Sequence, residues 1–202
     1  ARIAVLASGR GSNLQAILHA IAAGRLDAQV VAVLSDKPDA AALLNVPPAQ
    51  RWARSPKDFA DRATFDAALG DALAAFAPDW IVCAGYMRIL GADFVQRFSG
   101  RLVNIHPSLL PLSRGLHTHA RALEAGDAEA GASVHFVVPE LDAGAVLAQA
   151  RVPVLAGDDA QALATRVLAV EHPLLIATLQ LLCQGRLAER EGQPQFDGHP
   201  LF

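Results

Sequence analysis

Cysteine, aromatic side chains and charge are all scarce in this sequence, and each scarcity removes a class of protein. Cys83 and Cys183 are the two cysteines; they lie far apart, and Cys83 sits in an apolar run, where a thiol behaves as a small hydrophobe. A disulfide framework is thereby excluded, and a reducing, cytoplasmic setting is expected. Aromatic residues are 5% of the chain while hydrophobic residues are 52%, so much of the apolar content is alanine, a helix former. Lys and Arg number 17 against 20 Asp and Glu, for a formal net charge of -3, and they form no basic run. Neither nucleic acid nor an anionic membrane surface is therefore an expected partner. The apolar runs are too short or too interrupted to read as bilayer spans, and no signal-peptide pattern opens the chain, so no membrane segment or leader is expected. What remains is 202 residues with a charged fraction of 18%, enough to bury a substantial core and unlike a disordered chain.

Apolar runs of strand length alternate with helical patterns. Residues 3–7 read as a buried strand, followed by Ser8-Gly9-Arg10-Gly11-Ser12-Asn13 and a helix with Leu14, Ile17, Leu18 and Ile21 on one face. Further strands are expected over 30–34, 80–84, 101–105, 133–138 and 146–153, and helices over about 61–75, 92–98 and 159–184. Asp158 or Asp159 is the expected cap of the last helix, and Pro173 is expected to kink it. Residues 39–56 carry no clear pattern, 108–115 with its prolines is a loop, and 192–202 is turn-rich with room for a small hairpin. This order predicts an α/β fold: a doubly wound, mostly parallel, Rossmann-like sheet with helices on both faces, in a single domain.

The glycine-rich turn between a strand and a helix is a ready anion site, because its amides and the helix start carry partial positive charge. The P-loop pattern fails, since no Gly-Lys-Ser/Thr follows at the required spacing. The dinucleotide fingerprint fits Gly9 and Gly11, with Asp36 in place of the ribose-binding acid, but Leu14 stands where a third glycine belongs. Gly11, Ser12 and Asn13 could instead cradle a single phosphate. A tight turn that merely needs glycine dihedrals accounts for the loop equally well.

Asn104 and His106 stand two apart at the expected strand end, so their side chains share a face where open α/β sheets place ligand crevices. An amide can donate to a developing oxyanion, and an imidazole can donate or relay a proton near neutral pH. Asp142, in the Glu140-Leu141-Asp142-Ala143-Gly144 turn, would stabilise an imidazolium at His106 if it reached the neighbouring strand end. Polar strand ends and aspartates beside glycine also occur as ordinary turn chemistry, so these residues alone leave the matter open.

Taken in order, Ser8-Gly9-Arg10-Gly11-Ser12-Asn13-Leu14, Ala84-Gly85-Tyr86-Met87-Arg88-Ile89-Leu90, Asn104-Ile105-His106-Pro107-Ser108-Leu109-Leu110-Pro111, Gly115-Leu116-His117-Thr118-His119, Ser133-Val134-His135-Phe136 and Leu141-Asp142 form a more specific set. Together they resemble the phosphoribosylglycinamide formyltransferases, folate-dependent enzymes of purine synthesis, over nearly the whole chain. The resemblance implies one formyltransferase domain over 1–202: a phosphate-binding half at 1–100, a catalytic and folate-binding half at 101–190, and a tail at 191–202. It implies that Asn104, His106 and Asp142 carry the chemistry and that Gly11, Ser12 and Asn13 hold the ribose phosphate of the glycinamide substrate. Leu168, Ala169, Val170 and Glu171 would complete that site. Folate would be lined by Arg62, Met87, Arg88, Ile89, Leu90 and Asn104 together with Val138, Pro139, Glu140, Leu141 and Asp142. The implied formyl donor is 10-formyltetrahydrofolate, with no metal or redox cofactor; the implied partners are small molecules, and the protein a monomer or homodimer.

Leu112-Ser113-Arg114 departs from the family pattern before Gly115. Its Arg-Gly is similar to methionyl-tRNA formyltransferases, which carry an additional tRNA-binding domain, and formyltetrahydrofolate hydrolases share the three catalytic positions. A dinucleotide-dependent oxidoreductase and a non-catalytic phosphosugar-binding protein are the readings from other classes. His117 and His119 have a spacing that suits two metal ligands, but nothing nearby completes a tetrahedral set, so they are expected in a mobile active-site loop.

Overall fold

A computed structural model describes residues 1–190 and 192–201, and the chain gathers into two compact units, 1–104 and 105–202. The first unit opens with β1 (Arg2–Leu6) and α1 (Ser12–Ala22), then β2 (Gln29–Ser35), short 3-10 turns and β3 (Arg51–Ala53). It continues with α2 (Arg62–Ala75), β4 (Trp80–Cys83), α3 (Ala92–Arg97) and β5 (Leu102–His106), the strand in which the boundary falls. The pairings β1–β2, β1–β4, β2–β3 and β4–β5 are all parallel. Ile3 to Leu6 and Ala32 to Leu34 are fully buried, as strands covered on two faces must be. Asp61 caps α2, its carboxylate accepting from the Thr64 amide at 2.7 Å.

The second unit holds α4 (Thr118–Ala125), the antiparallel pair β6 (Glu129–Phe136) and β7 (Val146–Pro153), and α5 (Ala160–Cys183). A small antiparallel sheet follows, of β8 (Leu187–Arg190), β9 (Gln193–Phe196) and β10 (His199–Pro200). Asp159 is the α5 cap, accepting from Ala162 N at 2.7 Å, and the helix continues through Pro173. By length and composition α5 could cross a membrane, contrary to the reading of the apolar runs above. Its Leu163, Val167, Leu175 and Leu179 are instead buried in a stripe, and it packs on β6 and β7. The strand order is β3-β2-β1-β4-β5-β6-β7, a mostly parallel Rossmann-like sheet flanked by helices.

One expectation is corrected, at His119, and one unassigned stretch gains a strand. Residues 51–53 form an edge strand where no pattern was legible, and α4 occupies residues expected in a loop, so His119 is helical. The hairpin expected within 192–202 is the β9–β10 pair, and β8 extends that sheet back to Leu187.

Candidate active site

In the first unit the glycine loop is shaped by close backbone approach. Gly11 adopts φ 79°, and a Cβ there would stand 2.8 Å from the Ala42 side chain, so glycine is required on both counts. α1 starts directly after it, at Ser12, and the first amides of a helix lack intrahelical acceptors. Ser12 is exposed, whereas Asn13 is buried. Asp36, the candidate ribose-binding acid, is also buried and accepts a hydrogen bond from the Ser8 hydroxyl.

Met87 to Leu90 follow β4 through Gly85, itself at φ 71°. Met87 and Ile89 are 63% and 52% exposed, while Leu90 joins the core. The Arg88 guanidinium lies over the Phe65 ring, 5.1 Å from its centroid. Arg62, the first residue of α2, donates to the Ile89 carbonyl at 2.6 Å, so the structure brings it onto this segment. Beside it opens a cavity of about 460 Å³ lined by Ala63, Asp66, Gly91, Phe94 and Arg97 among others; His106 and Asp142 do not border it.

In the second unit the chemistry-bearing side chains converge. His106 is buried and the Asp142 side chain is only 8% exposed, with the His106 Nδ1 3.6 Å from the Asp142 Oδ2. Nε2 of His106 donates to the Ser113 carbonyl at 2.9 Å, and the Ser108 hydroxyl donates to the same oxygen at 2.7 Å. Asp142 Oδ2 accepts from the Gly115 amide at 2.9 Å. Asp142 is held at φ 49°, a conformation aspartate tolerates better than most residues. A Cβ on Gly144 would meet the Phe136 carbonyl at 1.7 Å, so this glycine lets the turn lie against the end of β6.

His135 completes the cluster. Its Nδ1 donates to the Phe136 carbonyl at 2.9 Å and its Nε2 lies 3.6 Å from the other Asp142 oxygen. Burial, the largest cause, pushes His135 below the ordinary histidine pKa; the Phe136 carbonyl and Asp142 act the other way, and His106 adds to the depression. Asp142 is thus flanked by two imidazoles whose rings stand edge to face, 6.5 Å apart. Sequence spacing had not joined His135 to Asp142. The available signal was its place in the expected buried strand next to Val134; in the structure a register shift in the β6–β7 pairing falls between the two.

The remaining expected residues spread along this unit. Val138 is half-buried, Pro139, Glu140 and Leu141 are exposed, and Glu140 pairs with Arg114 at 2.8 Å. The departure at Leu112-Ser113-Arg114 thereby engages both His106 and the 138–142 turn. On α5, Leu168 and Ala169 are exposed, Val170 is half-buried and Glu171 is buried, so Glu171 is no solvated helix acid. His119 is pushed below its ordinary pKa by burial first and by His106 second. Asn104 lies two positions before His106 on β5, in register with Cys83.

This arrangement has close relatives. A family model described as formyl transferase matches residues 1–179. Phosphoribosylglycinamide formyltransferase of Haemophilus influenzae is 42% identical over 202 residues, covering 99% of this chain and 95% of that protein. The Escherichia coli protein of the same name is 45% identical over 201 residues, covering 98% and 95%. The solved phosphoribosylglycinamide formyltransferase of Coxiella burnetii, in complex with CHES, superposes with a TM-score of 0.93 at 43% identity over 100% of this chain and 95% of that one. The chain belongs to the formyl transferase family and groups there with the phosphoribosylglycinamide formyltransferases.

Proposed function

We propose that this protein transfers the formyl group of 10-formyltetrahydrofolate to the amine of 5-phosphoribosylglycinamide, with Asn104, His106 and Asp142 as catalytic residues. The observation that carries the assignment is the buried His106–Asp142 pair at 3.6 Å, two positions after Asn104 on β5. The amine nitrogen bonds to the formyl carbon, the bond from that carbon to the folate nitrogen breaks, and one proton moves from the amine to that nitrogen. The products are formylglycinamide ribotide and tetrahydrofolate, and no covalent enzyme intermediate is required.

Each residue has a role that its chemistry permits. The Asn104 amide and a protonated His106 donate hydrogen bonds to the carbonyl oxygen as negative charge develops there. Asp142 lies 3.6 Å from each of two imidazoles, a geometry that suits passing the proton onward. Nε2 of His106 is held by the Ser113 carbonyl, so that contact must be given up before this nitrogen can donate to substrate. Gly11, Ser12 and Asn13, at the start of α1, receive the phosphate, with Leu168 to Glu171 assigned to the glycinamide end.

The donor fits the residues assigned to it. Met87 and Ile89 are 63% and 52% exposed, apolar surface suited to a flat, partly apolar ring. Arg62 supplies a cation at this segment, donating to the Ile89 carbonyl. The dinucleotide alternative loses its acid, because Asp36 is buried against Ser8. Purified protein given 10-formyltetrahydrofolate should release tetrahydrofolate only when 5-phosphoribosylglycinamide is added. Release with methionyl-tRNA as acceptor, or with water alone, would reject the assignment of acceptor.

A further inference from the structure

Ser8 is absorbed by neither the phosphate site nor the catalytic cluster, yet it is among the most heavily used polar side chains of the first unit. It follows β1, at the point where the chain ends of β2 and β4 flank it. Its amide donates to the Gly85 carbonyl at 3.1 Å, its hydroxyl donates to Asp36 Oδ1, and the same hydroxyl accepts from the Met87 amide at 2.9 Å. Next to it, the Gly9 carbonyl accepts from Ala42 N at 3.0 Å.

The order of these bonds matters. A carboxylate only accepts, so Asp36 fixes the single hydroxyl hydrogen of Ser8 and leaves an oxygen lone pair turned to Met87. Ser8 and Asp36 are 4% and 7% exposed, which keeps water from replacing either bond. Asp36 is itself set by the turn after β2, where the Ser35 hydroxyl accepts from Lys37 N at 3.0 Å. The Met87 main chain is thus clamped, whereas its side chain is left in the open.

We propose that Ser8, oriented by Asp36, is a positioning residue that ties the phosphate loop to the Met87–Leu90 donor segment, so that loss of its hydroxyl weakens both ligands together. This rests on the functional reading above, which assigns those two segments to the two substrates. Ser8 touches neither reacting atom. Its effect falls on binding, with kcat largely retained once both sites are saturated.

The test compares Ser8→Ala, Asp36→Ala and Asp36→Asn with the wild type, reading separate dissociation constants for 5-phosphoribosylglycinamide and a reduced folate, together with hydrogen exchange at the Met87 amide. Ser8→Ala should raise both constants about three- to tenfold, as expected for one lost hydrogen bond, and expose the Met87 amide to exchange. Asp36→Asn retains an acceptor and should stay close to wild type, while Asp36→Ala should behave like Ser8→Ala. That last pair decides the matter if Ser8→Ala does not fold. Folded variants with a lowered Tm but unchanged affinity for both ligands would overturn the positioning role and leave the function standing. Wild-type protein that binds neither ligand would overturn the functional reading and the proposal with it.

Discussion

The two regions proposed to handle substrate are built in opposite ways. At the glycine loop buried side chains hold the main chain: the Ser8 hydroxyl, fixed by Asp36, accepts from the Met87 amide at 2.9 Å. Around His106 the main chain holds the side chains, through the Ser113 carbonyl, the Gly115 amide and the Phe136 carbonyl. A phosphate needs a shaped set of donors, which backbone amides supply without titrating. The transfer proposed for the other site moves a proton, and that requires groups with accessible protonation states.

The contrast can be broken at each end. The largest effect is expected for Asp142→Asn, which keeps an acceptor for Gly115 N and removes the charge beside two histidines. Turnover should fall by about two orders of magnitude while the Tm stays near wild type; turnover close to wild type would mean that the carboxylate only shapes the turn. A smaller, selective effect is expected for Ser12→Asp, which sets a carboxylate at the proposed phosphate cradle. Affinity for 5-phosphoribosylglycinamide should drop about tenfold or more, with folate affinity unchanged. Equal losses for both ligands would remove the phosphate from this loop. The smallest concerns Tyr86, whose hydroxyl is buried without a hydrogen-bond partner among the described residues. Tyr86→Phe should leave the Tm unchanged or raise it, since an unpaired buried hydroxyl costs stability. A loss of ligand affinity in that variant would show instead that the hydroxyl meets substrate.

The same contrast explains what could be read from the sequence. Asn104 and His106 were legible because strand geometry converts a spacing of two into a shared face. α1 was legible from apolar periodicity, and of the two cap candidates for α5, Asp158 and Asp159, it is Asp159 that caps it. β3 escaped because Arg51, Trp52 and Ala53 are all half-buried on an edge strand and show no alternation. α4 escaped because it is short, and its cap position is taken by His117 at φ 58° instead of a capping side chain. The partners of His106 and Asp142 are mostly backbone groups, which any residue carries, so no pattern announces them. Ser8 and Asp36 meet across 28 positions, a distance that neither helical nor strand periodicity reports.

The central claim is that His106, oriented beside Asp142, stabilises the charge that develops during formyl transfer. Its most direct test is turnover of His106→Asn with both substrates saturating, followed by tetrahydrofolate release alongside the wild type. A fall of about a hundredfold or more, with both ligands still bound and the fold intact, is the predicted result. Turnover within a few-fold of wild type would contradict the account.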